Sequence, residues 1–197
     1  MVIERAEKIS ASDFLPRSRS LESLRQAAKS CKGCDLYLNA TQTVFGDGPG
    51  HASVMLVGEQ PGDIEDQKGE PFVGPAGRML DRALEDARIS RDEVYVTNAV
   101  KHFKWEPQGK RRIHAKPRPA EIAACLPWLM AELEIIKPEA VVCLGATADQ
   151  ALLGPRFRVT KQGGQWPSAP GAPRVLGTVH PSSILRAPDD ETRRGEF

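Results

Sequence analysis

At 197 residues, with 27 Lys+Arg against 26 Asp+Glu and a formal net charge of +1, the chain is sized for one domain with a real core, and its global charge names no partner. No stretch reaches the roughly 18 apolar residues of a membrane span, and Met1-Val2-Ile3-Glu4-Arg5 lacks the layout of a signal peptide. A cytoplasmic chain without membrane contact is expected, and in that setting its four cysteines lean towards metal or catalysis rather than disulfides.

Residues 1–18 read as a flexible leader, and 19–197 as the domain. Leu21, Leu24 and Ala27/Ala28 recur at helical spacing, ending at Cys31. A Gly/Pro loop, Gly46-Asp47-Gly48-Pro49-Gly50, leads into an apolar strand at 53–58 that runs directly into Glu59-Gln60-Pro61-Gly62-Asp63. The turn-rich segment 69–77 opens a helix whose apolar stripe is Met79, Leu80, Ala83, Leu84 and Ala87. Val94 to Asn98 is a second strand, and Pro119 to Ile136 a helix with Pro119 near its start. Ala140 to Leu144 is a third strand, followed by Gly145 and a helix at 146–153. After the Pro-rich residues 167–173, a fourth strand occupies 174–179.

Strands alternating with helices predict an α/β fold: a three-layer α/β/α domain around a central four-stranded parallel sheet. Ligands bind at the carboxyl ends of such strands. Glu59/Gln60, Asn98 and His180 each follow a strand directly, so they are expected to meet at one rim. Between Lys101 and Arg118 stand seven Lys/Arg and one acid, Glu106, a local basic loop suited to phosphates.

Cys31-Lys32-Gly33-Cys34 is a CxxC, and 17 residues separate Cys125 from Cys143. Read alone, Cys125 and Cys143 fit core positions, and the CxxC also fits a redox pair. Together the four thiolates suit zinc or an iron–sulfur cluster, and spacing does not choose between them.

Several motifs in order carry a resemblance over residues 22–188. They are Cys31-x-x-Cys34; Gly58-Glu59-Gln60-Pro61-Gly62-Asp63; Gly69-Glu70-Pro71-Phe72-Val73-Gly74; Thr97-Asn98-Ala99-Val100-Lys101; Cys125 and Cys143; and His180-Pro181-Ser182-Ser183-Ile184-Leu185-Arg186. The chain resembles the uracil-DNA glycosylase superfamily in its iron–sulfur, family 4-like branch. Lys110-Arg111-Arg112-Ile113-His114, in an extended loop, resembles the crosslinking type of that branch, UdgX. Members continue into another helix after the last motif, whereas this sequence ends at Phe197.

The resemblance implies a [4Fe–4S] cluster on Cys31, Cys34, Cys125 and Cys143. It implies uracil-containing DNA, single- or double-stranded, as partner, uracil as product, and a monomer. The base is taken out of the stack before chemistry. Phe72 would stack on uracil, Asn98 would read its edge, and Gly58, Gln60 and Ser182 would line the pocket, Gln60 through its backbone. His180 would donate to uracil O2 as charge develops. His114 would attack C1′, with Glu59 on its other ring nitrogen and Asp63 among the catalytic groups. Lys110, Arg111, Arg112 and Arg186 would contact DNA backbone, and Ile184 and Leu185 would wedge into the stack.

The expected function is therefore excision of uracil followed by a stable His114–sugar adduct. The alternatives are a family 4-type enzyme that turns over with water, and a non-catalytic nucleic-acid-binding iron–sulfur protein.

Overall fold

The computed structural model describes residues 9–157 and 167–186. Its centre is a sheet of β1 (Val54–Gly58), β2 (Val94–Asn98), β5 (Ala140–Leu144) and β6 (Val175–Thr178), in the order β2-β1-β5-β6 and parallel throughout. Between β2 and β5 the chain makes a separate antiparallel hairpin of β3 (Trp105–Gln108) and β4 (Arg111–His114). The helices are α1 (Leu21–Ala28), α2 (Asp63–Lys68), α3 (Pro75–Asp86), α4 (Pro119–Ile136), α5 (Ala146–Leu153) and α6 (Pro181–Leu185). None of these helices is long and apolar enough to cross a membrane.

Strand alternation divides the core into layers. Met55, Val57, Tyr95, Val141, Cys143 and Val175 pack with Leu129 and Leu133 of α4 and Ala148 of α5. On the other face Leu56, Val94, Val96 and Leu144 meet Leu80 and Leu84 of α3. The three-layer α/β/α arrangement expected from the alternating pattern is the one observed.

A further apolar cluster joins the N-terminal segment to α4, and it corrects the leader expectation. Ala11–Phe14 is a 3₁₀ helix capped reciprocally by Ser10 and Asp13, and Ala11 is fully buried. A Cβ on Gly33 would strike the backbone of Ser10 and Ala11, so the CxxC turn and this segment are in intimate contact.

The basic loop was expected to be extended without regular structure. It folds as a hairpin because Gly109-Lys110 makes a two-residue turn, with Gly109 at φ +60° in the first turn position. Its register pairs Trp105 with His114 and Pro107 with Arg112.

Topology then places the site. From β1 the chain steps to β2 on one side, and later to β5 on the other, so the strand order reverses between β1 and β5. Their carboxyl ends are the crevice where ligands bind in open α/β sheets.

Candidate active site

A cavity of about 950 Å³ opens at that switch point. The ends of three sheet strands reach it: Glu59 and Gln60 after β1, Asn98 at the end of β2, and Gly145 and Thr147 after β5. His180 and Ser182 enter from the start of α6, and Ile113 and His114 from the hairpin.

Phe72 forms one wall. It is buried, with its backbone left-handed at φ +56°, a conformation that costs a non-glycine residue about 1 kcal/mol or more. Two glycines make room for it. A Cβ on Gly58 would meet Phe72 Cζ at 2.6 Å and collide with Asn98 Oδ1, and one on Gly77 would collide with the Phe72 carbonyl. Glu65 holds the same loop by accepting from the Gly74 amide at 2.7 Å. Glu65 and Gly77 were not singled out in the sequence, because nothing local to either residue signals that contact.

Asn98 pairs in register with Gly58, and its Oδ1 is buried with no partner among the described residues. An unpaired buried amide oxygen costs about 1–3 kcal/mol, so a ligand donor there recovers a standing penalty. The rest of β2 is held from behind. Lys101 Nζ, fully buried, donates to the Asn98 carbonyl at 2.9 Å and to Glu132 Oε2 at 2.5 Å. Glu132 Oε1 also accepts from Tyr95 and Thr97, each at 3.0 Å.

His180 is the N-cap of α6, and its Nδ1 accepts from the Ser182 amide at 3.1 Å. A backbone N–H can only donate, so a neutral ring must carry its proton on Nε2. Burial pushes the His180 pKa down to about 4, against the opposing pull of Glu59. The side chain is therefore a neutral Nε2–H donor, and its ring lies 6.2 Å from that of Phe72. Ser182 Oγ, 2.8 Å from the same Nδ1, is engaged with the ring.

Glu59 Oε1 lies 3.2 Å from His114 Nε2, and Thr147 Oγ1 donates to Glu59 Oε2. Burial by itself would raise the Glu59 carboxyl. The hydrogen bonds from His114 and Thr147, with Lys116 nearby, hold it below the usual carboxylate range. Thr147 is a second residue that the sequence reading missed; its only signal was its place just after a strand-end glycine.

Other sequence expectations need correction. Gln60 works through its side chain and not its backbone: Nε2 donates to the carbonyls of Lys104 and Ala115, and Oε1 accepts from the Lys104 amide, each at 3.1 Å. It latches the two ends of the hairpin. Arg112 is not free for DNA. It bridges Asp63 Oδ1 at 2.5 Å and Asp66 Oδ2 at 2.6 Å while its guanidinium covers Phe103 and Trp105, fastening the hairpin to α2. That contact occupies Asp63, which is a partner of Arg112 and not a group aimed at substrate.

Lys101 pairs with Glu132, and Lys104 and Arg118 with Glu121, so only Lys110, Arg111 and Lys116 of the basic run stand exposed without an ion pair among the described residues. Ile184 is buried, which leaves Leu185 and Arg186 as the exposed residues of the last motif. His51 is exposed, and His102 is buried with Nε2 2.9 Å from Thr43 Oγ1.

The cysteines divide three to one. Cys31, Cys34 and Cys125 share the cluster between α1 and α4 and act electrostatically on one another. The Lys101 amide donates to Cys125 Sγ at 3.2 Å, and Trp128 Nε1 to Cys31 Sγ at 3.3 Å. Cys143 is in the central sheet, opposite Val57 and Gly177, in a different core cluster. A cluster held by all four cysteines does not fit this arrangement, because β5 fixes Cys143 under α4 and α5. Among the described residues, no set of three or more His, Cys, Asp or Glu side chains is arranged to hold a metal.

Comparison with known proteins agrees with this geometry. Residues 45–196 match the family model described as the uracil DNA glycosylase superfamily. A type-4 uracil-DNA glycosylase of Thermotoga maritima is 39% identical over 179 residues, covering 90% of each chain. A type-4 uracil-DNA glycosylase of Pyrobaculum aerophilum is 35% identical over 184 residues, covering 90% of this chain and 89% of its own. A type-5 uracil-DNA glycosylase of the same organism is 32% identical over 152 residues, covering 68% of this chain and 63% of its own. With its fold, strand-end site and motifs matched over nearly its whole length, the chain belongs to the uracil-DNA glycosylase superfamily.

Proposed function

We propose that this chain excises uracil from DNA. The observation that carries the reading is the cavity's donor–acceptor set: an unpaired Asn98 Oδ1, a neutral His180 Nε2–H and the Phe72 wall, all at one strand-end crevice. The names of the type-4 relatives support the same activity.

Uracil N3–H donates to Asn98 Oδ1, and the ring packs on Phe72. As the N-glycosidic bond lengthens, negative charge gathers on uracil and positive charge on the sugar. His180 donates to uracil O2, where a preorganised donor in a closed site is worth most. The Glu59 carboxylate stabilises the cationic side of the reaction.

The sugar cation then has two fates. In the first, which the type-4 relatives favour, water takes it and the enzyme turns over. The hydrogen bond between Glu59 and His114, at 3.2 Å on the cavity wall, favours a second. His114 attacks C1′ through a ring nitrogen, and Glu59 steadies the imidazolium that forms. That adduct persists, giving a single turnover.

A uracil-containing strand incubated with the protein and run on a denaturing gel separates the readings. Hydrolytic turnover gives free uracil and an abasic strand at normal mobility. Capture gives one uracil per protein and a denaturation-resistant shifted band that disappears in His114→Ala. Release of no uracil at all refutes excision.

The chemistry above uses no metal. Cys31, Cys34 and Cys125, with a fourth ligand other than Cys143, are the proposed site for the iron–sulfur group that the resemblance implies, where it would tie the end of α1 to α4.

A further inference from the structure

Six large apolar side chains stand exposed among the described residues, and three of them line this one cavity: Ile64 of α2 at 37%, Ile113 of β4 at 41% and Leu185 of α6 at 40%. Single exposed aliphatics are ordinary; three from separate elements around one opening are not.

Ile113 contributes nothing visible to holding the hairpin. Strand alternation puts Arg112 and His114 on the face that docks against α2 and Glu59, where their partners lie. Arg111 and Ile113 share the opposite face, and both are exposed. A polar residue at 113 would suit an exposed ribbon face as well or better. The surroundings are cationic: Lys110, Arg111 and Lys116 on the hairpin side, and Arg186 beyond Leu185, are all exposed. An apolar side chain amid cations, beside the pocket, suits one partner chemistry. It matches a nucleobase face whose backbone phosphate the cations hold.

We infer that Ile113 packs against the nucleobase next to the flipped uracil, with Arg111 on the neighbouring phosphate. This rests on the excision reading and adds a contact to it. A base that leaves the stack strips its neighbour of a stacking surface, and Ile113 replaces that surface from the hairpin while Leu185 approaches from α6. The hairpin thus serves two ends at once, since the residue that covers the flanking base sits beside the one that pairs with Glu59.

The test is a cycle between protein and DNA. Uracil release is measured in single turnover with wild type, Ile113→Ser and Ile113→Leu. Each acts on strands with normal neighbours, and on strands whose base 5′ or 3′ to uracil is replaced by an abasic spacer. Ile113→Ser is expected to lower the release rate at sub-saturating protein about tenfold on the normal strand, the scale of a lost base-packing contact. It is expected to have no further effect on one of the two spacer strands, and Ile113→Leu is expected to match wild type. Equal rates for wild type and Ile113→Ser on the normal strand overturn the inference, as does an equal deficit on all strands. If wild type releases no uracil from any strand, excision itself fails and the contact fails with it.

Discussion

Glu59 Oε1 stands 3.2 Å from His114 Nε2 although the two residues come from the end of a central strand and from a separate hairpin. Three long-range contacts create that distance. Gln60 latches the hairpin ends, Arg112 fastens it to α2, and Thr147 occupies the far oxygen of the carboxylate so that the near one turns to His114.

Thr147 is therefore a positioning residue. Thr147→Val is expected to slow the step that consumes the sugar cation about tenfold or more, the scale of one hydrogen bond to a charged group. Thr147→Ser is expected to restore it. Single-turnover kinetics of adduct or abasic-site formation give the rates, and titration of His114 by NMR reports whether its carboxylate partner has moved. A Val variant that matches wild type in both would remove Thr147 from the site.

Gly58→Ala tests the base pocket. Its Cβ would collide with Asn98 Oδ1 and come within 2.6 Å of Phe72 Cζ, so the new methyl occupies the place where base edge and ring wall meet. Loss of uracil release by about 100-fold or more is expected, as for misplacing a positioned group by about 1 Å. Retained activity would mean that uracil binds elsewhere.

The buried Lys101–Glu132 pair predicts an asymmetry. Lys101→Met leaves Glu132 buried without its cation and is expected to cost about 3–5 kcal/mol in chemical denaturation. Lys101→Met with Glu132→Gln removes the stranded charge and keeps an acceptor for Tyr95 and Thr97, and should recover most of that loss. A double variant no more stable than the single one would contradict this account.

Stability should vary with pH through groups of opposite sign. Burial lowers the pKa of His102 and His180 from 6.5 to about 4, so between those values the unfolded state binds more protons and stability rises with pH. Burial raises Asp149 from 3.8 to about 6, so over that interval the native state holds the extra proton and stability falls as pH rises. Both oxygens of Asp149 lack partners among the described residues, consistent with a protonated native form. Asp149→Asn removes the opposing contribution, and the rise in urea midpoint between pH 4 and pH 6 is expected to steepen, both pH values following from those shifts. A flatter profile would refute the assignment.

The split among the cysteines predicts iron content. Iron and sulfide are expected to be lost from Cys125→Ala and kept in Cys143→Val, because Cys143 lies in another core cluster. Loss of iron from Cys143→Val would bring that residue back as a ligand.

Local pattern in the sequence was enough for the four parallel strands, the 119–136 helix and the convergence of Glu59, Asn98 and His180 on one rim. Strand and helix periods repeat within a few residues, and a parallel sheet brings its carboxyl ends together whatever its loops do. The basic hairpin, the docking of residues 11–14, the role of Arg112 and the isolation of Cys143 depended on the tertiary structure. Each turns on which distant residue lies opposite, and the spacing of residues along the chain carries no information about that. Arg112 has the composition of a phosphate contact and becomes a staple only because α2 places Asp63 and Asp66 beneath it. Cys143 looked equivalent to Cys125 along the chain, and the register of β5 with β1 and β6 put it in a different core.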